Sequence, residues 1–448
     1  MGSSVRELAD STPSGRDRYI DLLRVASLGT VVLGHWLMAV VTSDGVGNLL
    51  AVVPEVQLLT WVLQIMPVFF FVGGFSHALS YRSLRRKQPD AGVYPAFLRT
   101  RLQRLLRPTM VFILVWGSMA LLVQLLRGDG GLTGVALRLV AQPLWFIGIY
   151  LAMVAFTPPL LKLHERYGWG AFGVLAAAAA TVDVLRFAAG VPFVEFLNFA
   201  FVWLAVHQLG FLRADGRIRI PSALAAAGLA GATALVALGP YPLSMVGMPG
   251  ERVSNMAPPT LALLCHGLWL VGAVELLRGP GARLLARPRV WRGVVAANGV
   301  SMTAFLWHLT AMLGVYALMF ALGLPMPVPA SAVWWAQAPV RILVAAALTA
   351  VLVAAFRGFE RPPTVRPPTV RPPTVRPPAP GRASGPAAAL GITLCLLGVL
   401  GLSMVGFGGL LQGRTATLVA VRISAPVAVA MALAGWLLVE RAGRVRQR

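Results

Sequence analysis

Residues 18–36 read RYIDLLRVASLGTVVLGHW, and this stretch decides the fold. It is about the length that crosses the hydrocarbon core of a bilayer as a helix, roughly 20 residues. Asp21, Arg24 and His35 interrupt it. A cleavable secretory segment needs an unbroken apolar centre and a small-residue cleavage site, and neither is present. The stretch therefore reads as a membrane helix that carries ionisable groups. Such groups are costly in a membrane and usually mark function.

The rest of the chain supports a membrane reading. Of 448 residues, 57% are apolar and 12% charged, with mean hydropathy +0.74. Soluble domains carry roughly 25% charge, so an ordinary soluble enzyme is excluded, and the apolar content excludes disorder. Apolar blocks of membrane length fall at 20–42, 56–81, 107–126, 143–163, 168–188, 193–212, 218–238, 258–278, 298–322, 333–356, 388–411 and 416–439. The seventh and eleventh are the weakest. The expected fold is an all-α polytopic membrane protein, with a ten-helix core and two further C-terminal helices.

The net charge of +23 comes from 39 Lys+Arg against 16 Asp+Glu. No basic face alternates with stacking aromatics, so nucleic acid is not the expected partner. The basic residues instead crowd alternate gaps between blocks. With the N-terminus in the cytoplasm, the inner loops hold Arg82 to Lys87 and Arg99 to Arg107; then Lys162 and Arg166; then Arg213, Arg217 and Arg219. Arg278 to Arg292, the arginines from 357 to 382, and Arg441 to Arg448 complete that side. The outer loops hold scattered residues such as Arg127, Arg138, Arg252 and Arg414. One miscounted helix would spoil the alternation, so twelve helices with both ends cytoplasmic, in the cell membrane, is the expected topology. Cys265 and Cys395 lie inside apolar blocks and give no disulfide framework and no metal spacing.

The expected organisation is a cytoplasmic tail at 1–17, a ten-helix domain at 18–356, a Pro-rich linker at 357–386, a two-helix membrane hairpin at 387–440 and a basic tail at 441–448. Within the linker, 361–375 repeats RPPTV three times, and 376–380 is a broken fourth copy. Regularly spaced Pro pairs favour polyproline II, at about 3.1 Å per residue, and so a semi-rigid spacer. A ligand for a proline-reading domain, or arginines resting on anionic lipid, are the alternatives.

On the first helix, Arg24 and His35 are eleven residues apart. At 100° per residue this leaves about 20° of offset and about 16 Å of depth. Asp21, three before Arg24, shares that face. A lone membrane histidine reads first as bonded to a neighbouring helix, but the shared polar stripe favours a working imidazole, the usual general base near neutral pH. The second feature is FLRTRLQRLLRP at 97–108. Arg101, Arg104 and Arg107 follow i, i+3 spacing, so a helical start presents a cationic strip. Arginine forks suit phosphate; ordinary positive-inside anchoring is the plain alternative. Weaker candidates are Asp183 with Arg186, expected to pair, and Glu195, Asn198, His207 and His308. Each reads first as structural, and together they are candidates for an acceptor-binding pocket. His77 and Gln208 read as structural.

At these residues the chain resembles the acyltransferase 3 family of membrane acyltransferases. The first helix at 18–36 resembles the family's Arg-to-His helix. MPVFFFVGGF at 66–75 resembles its Phe-rich second helix, and FLRTRLQRLLRP its R-x-x-R element. PLWFIGIYL at 143–151 and SMTAFLWHLT at 301–310 resemble its Trp-Phe fourth helix and its late aromatic-His segment. The resemblance covers roughly 18–356. It implies transfer of an acyl group, acetyl by default, from cytoplasmic acyl-coenzyme A to a hydroxyl of a carbohydrate or other hydroxylated acceptor, without a metal. It makes His35 the general base and Arg24 its partner, and Arg101 and Arg104 the R-x-x-R pair, placed for the coenzyme A phosphates; Asp21, on the same face as Arg24, is the candidate to orient it. Pro108 falls one residue later than in the family pattern, leaving Arg101/Arg104 and Arg104/Arg107 as alternative pairs. A transporter using the intramembrane charges as a substrate path is the competing reading. It calls for inverted repeats and matched broken helices, and the sequence displays neither. A non-catalytic scaffold or sensor, with the Pro-rich segment docking a partner, is the third.

Overall fold

The computed structural model describes residues 5–13, 15–42, 45–87, 92–127, 131–248, 250–360, 385–411, 413–418 and 421–442. The RPPTV repeats and most of the basic C-terminal tail lie outside the described residues. Among those described, eleven helices are long and apolar enough to cross a membrane. A twelfth span forms if Leu261–Leu276 and Arg278–Leu285, which meet at a 50° bend, count together. The chain is an all-α polytopic membrane protein, as the apolar blocks indicate. Sheet among the described residues is confined to two antiparallel hairpins, Ala39–Thr42 with Gly45–Asn48 and Thr415–Leu418 with Val421–Ser424.

Of the helix boundaries that differ from the sequence reading, three bear on the argument. The first span is Arg18–Met38 and stops four residues short of the expected end. Ala39–Thr42 is rich in β-branched residues, which fit a pleated strand, and it pairs with the next segment. The last span is Ala425–Ala442 rather than 416–439; the Thr- and Val-rich stretch before it forms the second hairpin. The third span starts at Val93 and runs unbroken to Arg127, with Pro108 inside. The arginine-rich element is therefore not a lead-in but the first turns of a 35-residue helix. Proline removes one backbone bond there, yet Leu98, Leu102, Leu105, Leu106 and Thr109 are all buried and hold the helix through it.

Contacts divide the chain into two compact units, Met1–Ala78 with Pro159–Val353, and Leu79–Pro158 with Ala354–Arg448. The sequence suggests ten helices plus two. The contacts group the C-terminal pair with the third span and most of the fourth.

In the first unit, Asp17 caps the first span by accepting from the backbone N–H groups of Tyr19 and Ile20, which satisfies orphan donors at the helix start. The start of this helix is tied to three others. The Tyr19 hydroxyl donates to the Val274 carbonyl (2.5 Å), and Asn298 Nδ2 donates to the Asp21 carbonyl (3.3 Å). Arg213 bridges Asp17 (3.0 Å) and Glu275 (2.8 Å). The segment 1–17 is more than a tail, because Val5–Asp10 is helical and the Trp291 indole donates to the Ala9 carbonyl.

In the second unit, Gly385–Val405 and Ala425–Ala442 form a tight helical hairpin with small residues at the seam. Gly398 meets the backbone of the partner helix. A Cβ there would lie 2.5 Å from the Ala432 nitrogen and 2.6 Å from the Ala428 oxygen. Close backbone approach through small residues is how membrane helices gain packing where water exclusion offers none. Gly398→Leu forces the two backbones apart, and is expected to destabilise the hairpin by about 1–3 kcal/mol. Thermal unfolding of the full chain in detergent, read against wild type, checks this; an unchanged midpoint rejects the close packing.

Candidate active site

The first span supplies the polar core of the candidate site. Asp21 is only 2% exposed. Arg16 holds it from the chain side through Nε (2.5 Å) and Nη2 (3.0 Å), and Arg24 holds it from one turn on (3.2 Å). In return the Asp21 hydrogen bond raises Arg16 above the ordinary guanidinium value. Arg24 also donates to the Ser76 hydroxyl (2.9 Å), joining the first span to Met66–Lys87. Two guanidinium groups on one carboxylate leave a net positive cluster, and a buried carboxylate is tolerable only when paired in this way. The sequence placed Asp21 and Arg24 together; it missed Arg16 and Ser76.

His35 lies eleven residues further along the same unbroken helix. Its Nδ1 is 3.0 Å from Nε2 of His308, with ring centroids 5.0 Å apart. The second nitrogen of His308 meets the Phe305 carbonyl in its own helix, Ser301–Ala321. Trp36 donates to the His308 carbonyl (3.1 Å), so consecutive residues of the first span are both fixed to one point of that helix. His308 is fully buried, whereas His35 keeps accessible surface. The sequence held His308 among the acceptor-pocket candidates, and the structure places it against His35.

The other histidines are sealed. His77, His164, His207, His266 and His308 are each 0% exposed. His207 does not join Asp183 or Asn198; its Nε2 is 3.0 Å from Nδ1 of His77. The backbones meet there with no room to spare, since Gly74 and Gly210 each face the other helix's main chain. His164 engages Asp215 through Nε2 and Gln208 through Nδ1, both at 2.8 Å. His266 Nε2 meets the Trp61 carbonyl (2.7 Å).

Asp183 and Asn198 do come together, at 2.8 Å, but as an internal staple. The buried Asp183 carboxylate also accepts from the Tyr241 hydroxyl (2.9 Å) and the Leu261 N–H (2.7 Å). Burial and the neighbouring Asp183 push the Tyr241 hydroxyl well above its usual value. The expected Asp183–Arg186 ion pair is not made. Three donors already hold the carboxylate, Arg186 acts on it only as a nearby charge, and its guanidinium lies over the Phe187 ring (4.9 Å). Glu195 is half-buried in the short turn Val194–Leu197. The six expected pocket residues therefore do not converge on one place.

In the second unit, Arg104 and Arg107 lie on the face of Val93–Arg127 turned away from Leu98, Leu102, Leu105 and Leu106, and Arg101 flanks the apolar face, three residues after Leu98 and four before Leu105. Arg104 is exposed, and Arg101 and Arg107 are half-buried. Apolar contacts fix the other face, so the helix presents these arginines as a fixed strip whichever pair is engaged. Among the described residues no cluster of three or more His, Cys, Asp or Glu has the arrangement of a metal site.

No curated protein and no solved structure matches the chain. A family model does, that of the acyltransferase domain named acyltransferase 3, over residues 17–357. The matched region contains the Asp21–Arg24 cluster, the His35–His308 contact and the arginine strip, and on this match the chain belongs to the acyltransferase 3 family.

Proposed function

We propose that this membrane acyltransferase moves an acyl group, acetyl by preference, from acyl-coenzyme A to a hydroxyl of a carbohydrate or other hydroxylated acceptor, with His35 as general base. One observation carries the assignment of the base. Of six histidines, five are fully buried, and only His35 keeps solvent-accessible surface as a residue. A base must reach the proton that it removes, and the buried five cannot.

The chemistry then follows from the groups present. The acceptor oxygen attacks the thioester carbon while His35 takes its proton. The tetrahedral intermediate collapses with loss of the coenzyme A thiolate, and the imidazolium returns the proton to that sulfur. Proton transfer by a placed base contributes roughly 10²–10⁴-fold. Arg24, oriented by Asp21 and Arg16, supplies a fixed positive charge on the same helix, suited to an anionic donor. Arg101 and Arg104 are the candidates for the coenzyme A phosphates, because guanidinium forks match phosphate oxygens in pairs. Coenzyme A is polyanionic and confined to the cytoplasm, so this reading places the arginine strip and both termini on the cytoplasmic side of the cell membrane. The acceptor is expected to be an envelope glycan approaching from the other side.

Two tests follow. In membranes containing the full chain, His35→Ala is expected to lower incorporation of labelled acetyl, from acetyl-coenzyme A into base-labile ester, by about 10²-fold or more. A variant that inserts normally and keeps wild-type incorporation rejects the base role. Separately, Arg101→Ala/Arg104→Ala is expected to weaken acetyl-coenzyme A binding by roughly 10²-fold, since hydrogen bonds to charged groups contribute about 1.5–3 kcal/mol each. Calorimetry in detergent checks this, and undiminished affinity moves the phosphate role to Arg107 or elsewhere.

A further inference from the structure

We infer that His308 is a positioning residue that fixes the tautomer of His35, so that the lone pair of the base sits on Nε2. This rests on the acyl-transfer reading for its purpose but not for its geometry. The chain of donors and acceptors has one solution for two neutral rings. The Phe305 carbonyl can only accept, so the Nδ1 that meets it carries the proton of His308. A neutral imidazole has one N–H, so His308 Nε2 is an acceptor. It faces His35 Nδ1 at 3.0 Å, which must therefore carry the proton of His35. The lone pair is left on His35 Nε2. That atom is not one of the sealed, unpartnered nitrogens that Nδ1 of His207 and Nδ1 of His266 are; the Val31 carbonyl, one turn back on the same helix, is the other acceptor beside the His35 ring.

The burial order fits this division of work. His308 is sealed behind the pair, and its carbonyl is held by Trp36 (3.1 Å), so its ring cannot drift along the first span. When His35 takes a proton on Nε2, its Nδ1–H becomes a charge-assisted donor to His308, and such bonds are shorter and stronger than neutral ones. The same contact thus sets the starting tautomer and steadies the imidazolium. This is the office that an orienting carboxylate fills beside a catalytic histidine in serine hydrolases, held here by a neutral ring. The other sealed contact, His77 with His207, has the same spacing but opens to nothing, so proximity of two histidines alone does not create a base.

The test uses two side chains that differ by one methylene. Asn at 308 places its amide near the position of Nδ1, reaching the Phe305 carbonyl but not His35. Gln places its amide near the position of Nε2 and can accept from His35. The full chain, with ¹⁵N-labelled histidine in lipid, is read by solid-state NMR, and His35→Gln identifies the His35 signals among the six histidines. Wild type and His308→Gln are expected to show His35 protonated on Nδ1 with a bare Nε2. His308→Asn is expected to lose that single form, because free histidine side chains favour the Nε2–H tautomer. Acetyl incorporation in the same membranes is expected to fall about 10²-fold in His308→Asn and to recover at least tenfold in His308→Gln, with acetyl-coenzyme A binding unchanged in both. His35 protonated on Nε2 in wild type overturns the inference, as does equal incorporation in Asn and Gln. A His35→Ala chain that keeps wild-type incorporation overturns the base role of His35, and a wild-type chain that incorporates no acetyl overturns the acyl-transfer reading; both leave the NMR result standing, so these failures are distinguishable from failure of the tautomer inference.

Discussion

In hydrocarbon, every polar atom without a partner costs several kcal/mol, and the rest of this structure depends on that constraint. Asp21 is satisfied by two guanidinium groups. Asp183 is satisfied by an amide, a phenol and a backbone N–H. Both ring nitrogens of His164 are engaged. Each arrangement ties one helix to another and closes a polar site to further use. Against this background, the accessible face of His35 is an exception that packing does not require. A closer neighbour could have sealed it, as the crossing of Met66–Lys87 with Asn198–Ala214 seals His207.

The first span is also the element with the most cross-links at its start. Tyr19, Asp17 and Asp21 each tie it to a different partner, and Trp36 fixes its far end. A helix pinned at both ends holds residues eleven positions apart at a constant separation of about 16 Å. The Arg24 guanidinium and the His35 imidazole are thus set by the backbone rather than by their own flexible side chains. A reaction that needs an anion held at one depth and a proton removed at another requires this kind of spacing.

Much of this was legible in the sequence because membrane physics writes it locally. Apolar runs gave the spans, and the eleven-residue separation put Arg24 and His35 on one face. What the sequence could not show were partners distant along the chain. Nothing near His308 marks it as the neighbour of a residue 273 positions away, and its aromatic surroundings read equally well as packing. Arg16 sits just outside the apolar run, where an arginine looks like an ordinary membrane anchor. Asp183 and Arg186 had the spacing of an ion pair, but helical spacing only permits contact, and three better donors reached Asp183 first. Periodicity also cannot distinguish a helix end from a β-branched strand, and this shifted the ends of the first and last spans.

The last two helices lie beyond the family match, which ends at residue 357, yet they form a wall for the helix that carries the arginine strip. Gln103, one residue before Arg104, contacts the Glu440 carboxylate (3.4 Å). At the other end, Gln124 donates to the Phe407 carbonyl and accepts from the Leu411 N–H, both at 3.1 Å. Between them, Phe112 and Trp116 pack on the Phe407 ring. Each contact is modest, but together they restrain both ends and the middle of a helix weakened by an internal proline. Glu440 sits beside the strip, so the appended hairpin contributes charge as well as packing to the surface on which the arginines stand. The family's characteristic element is thus held in place here by residues that the family pattern does not contain.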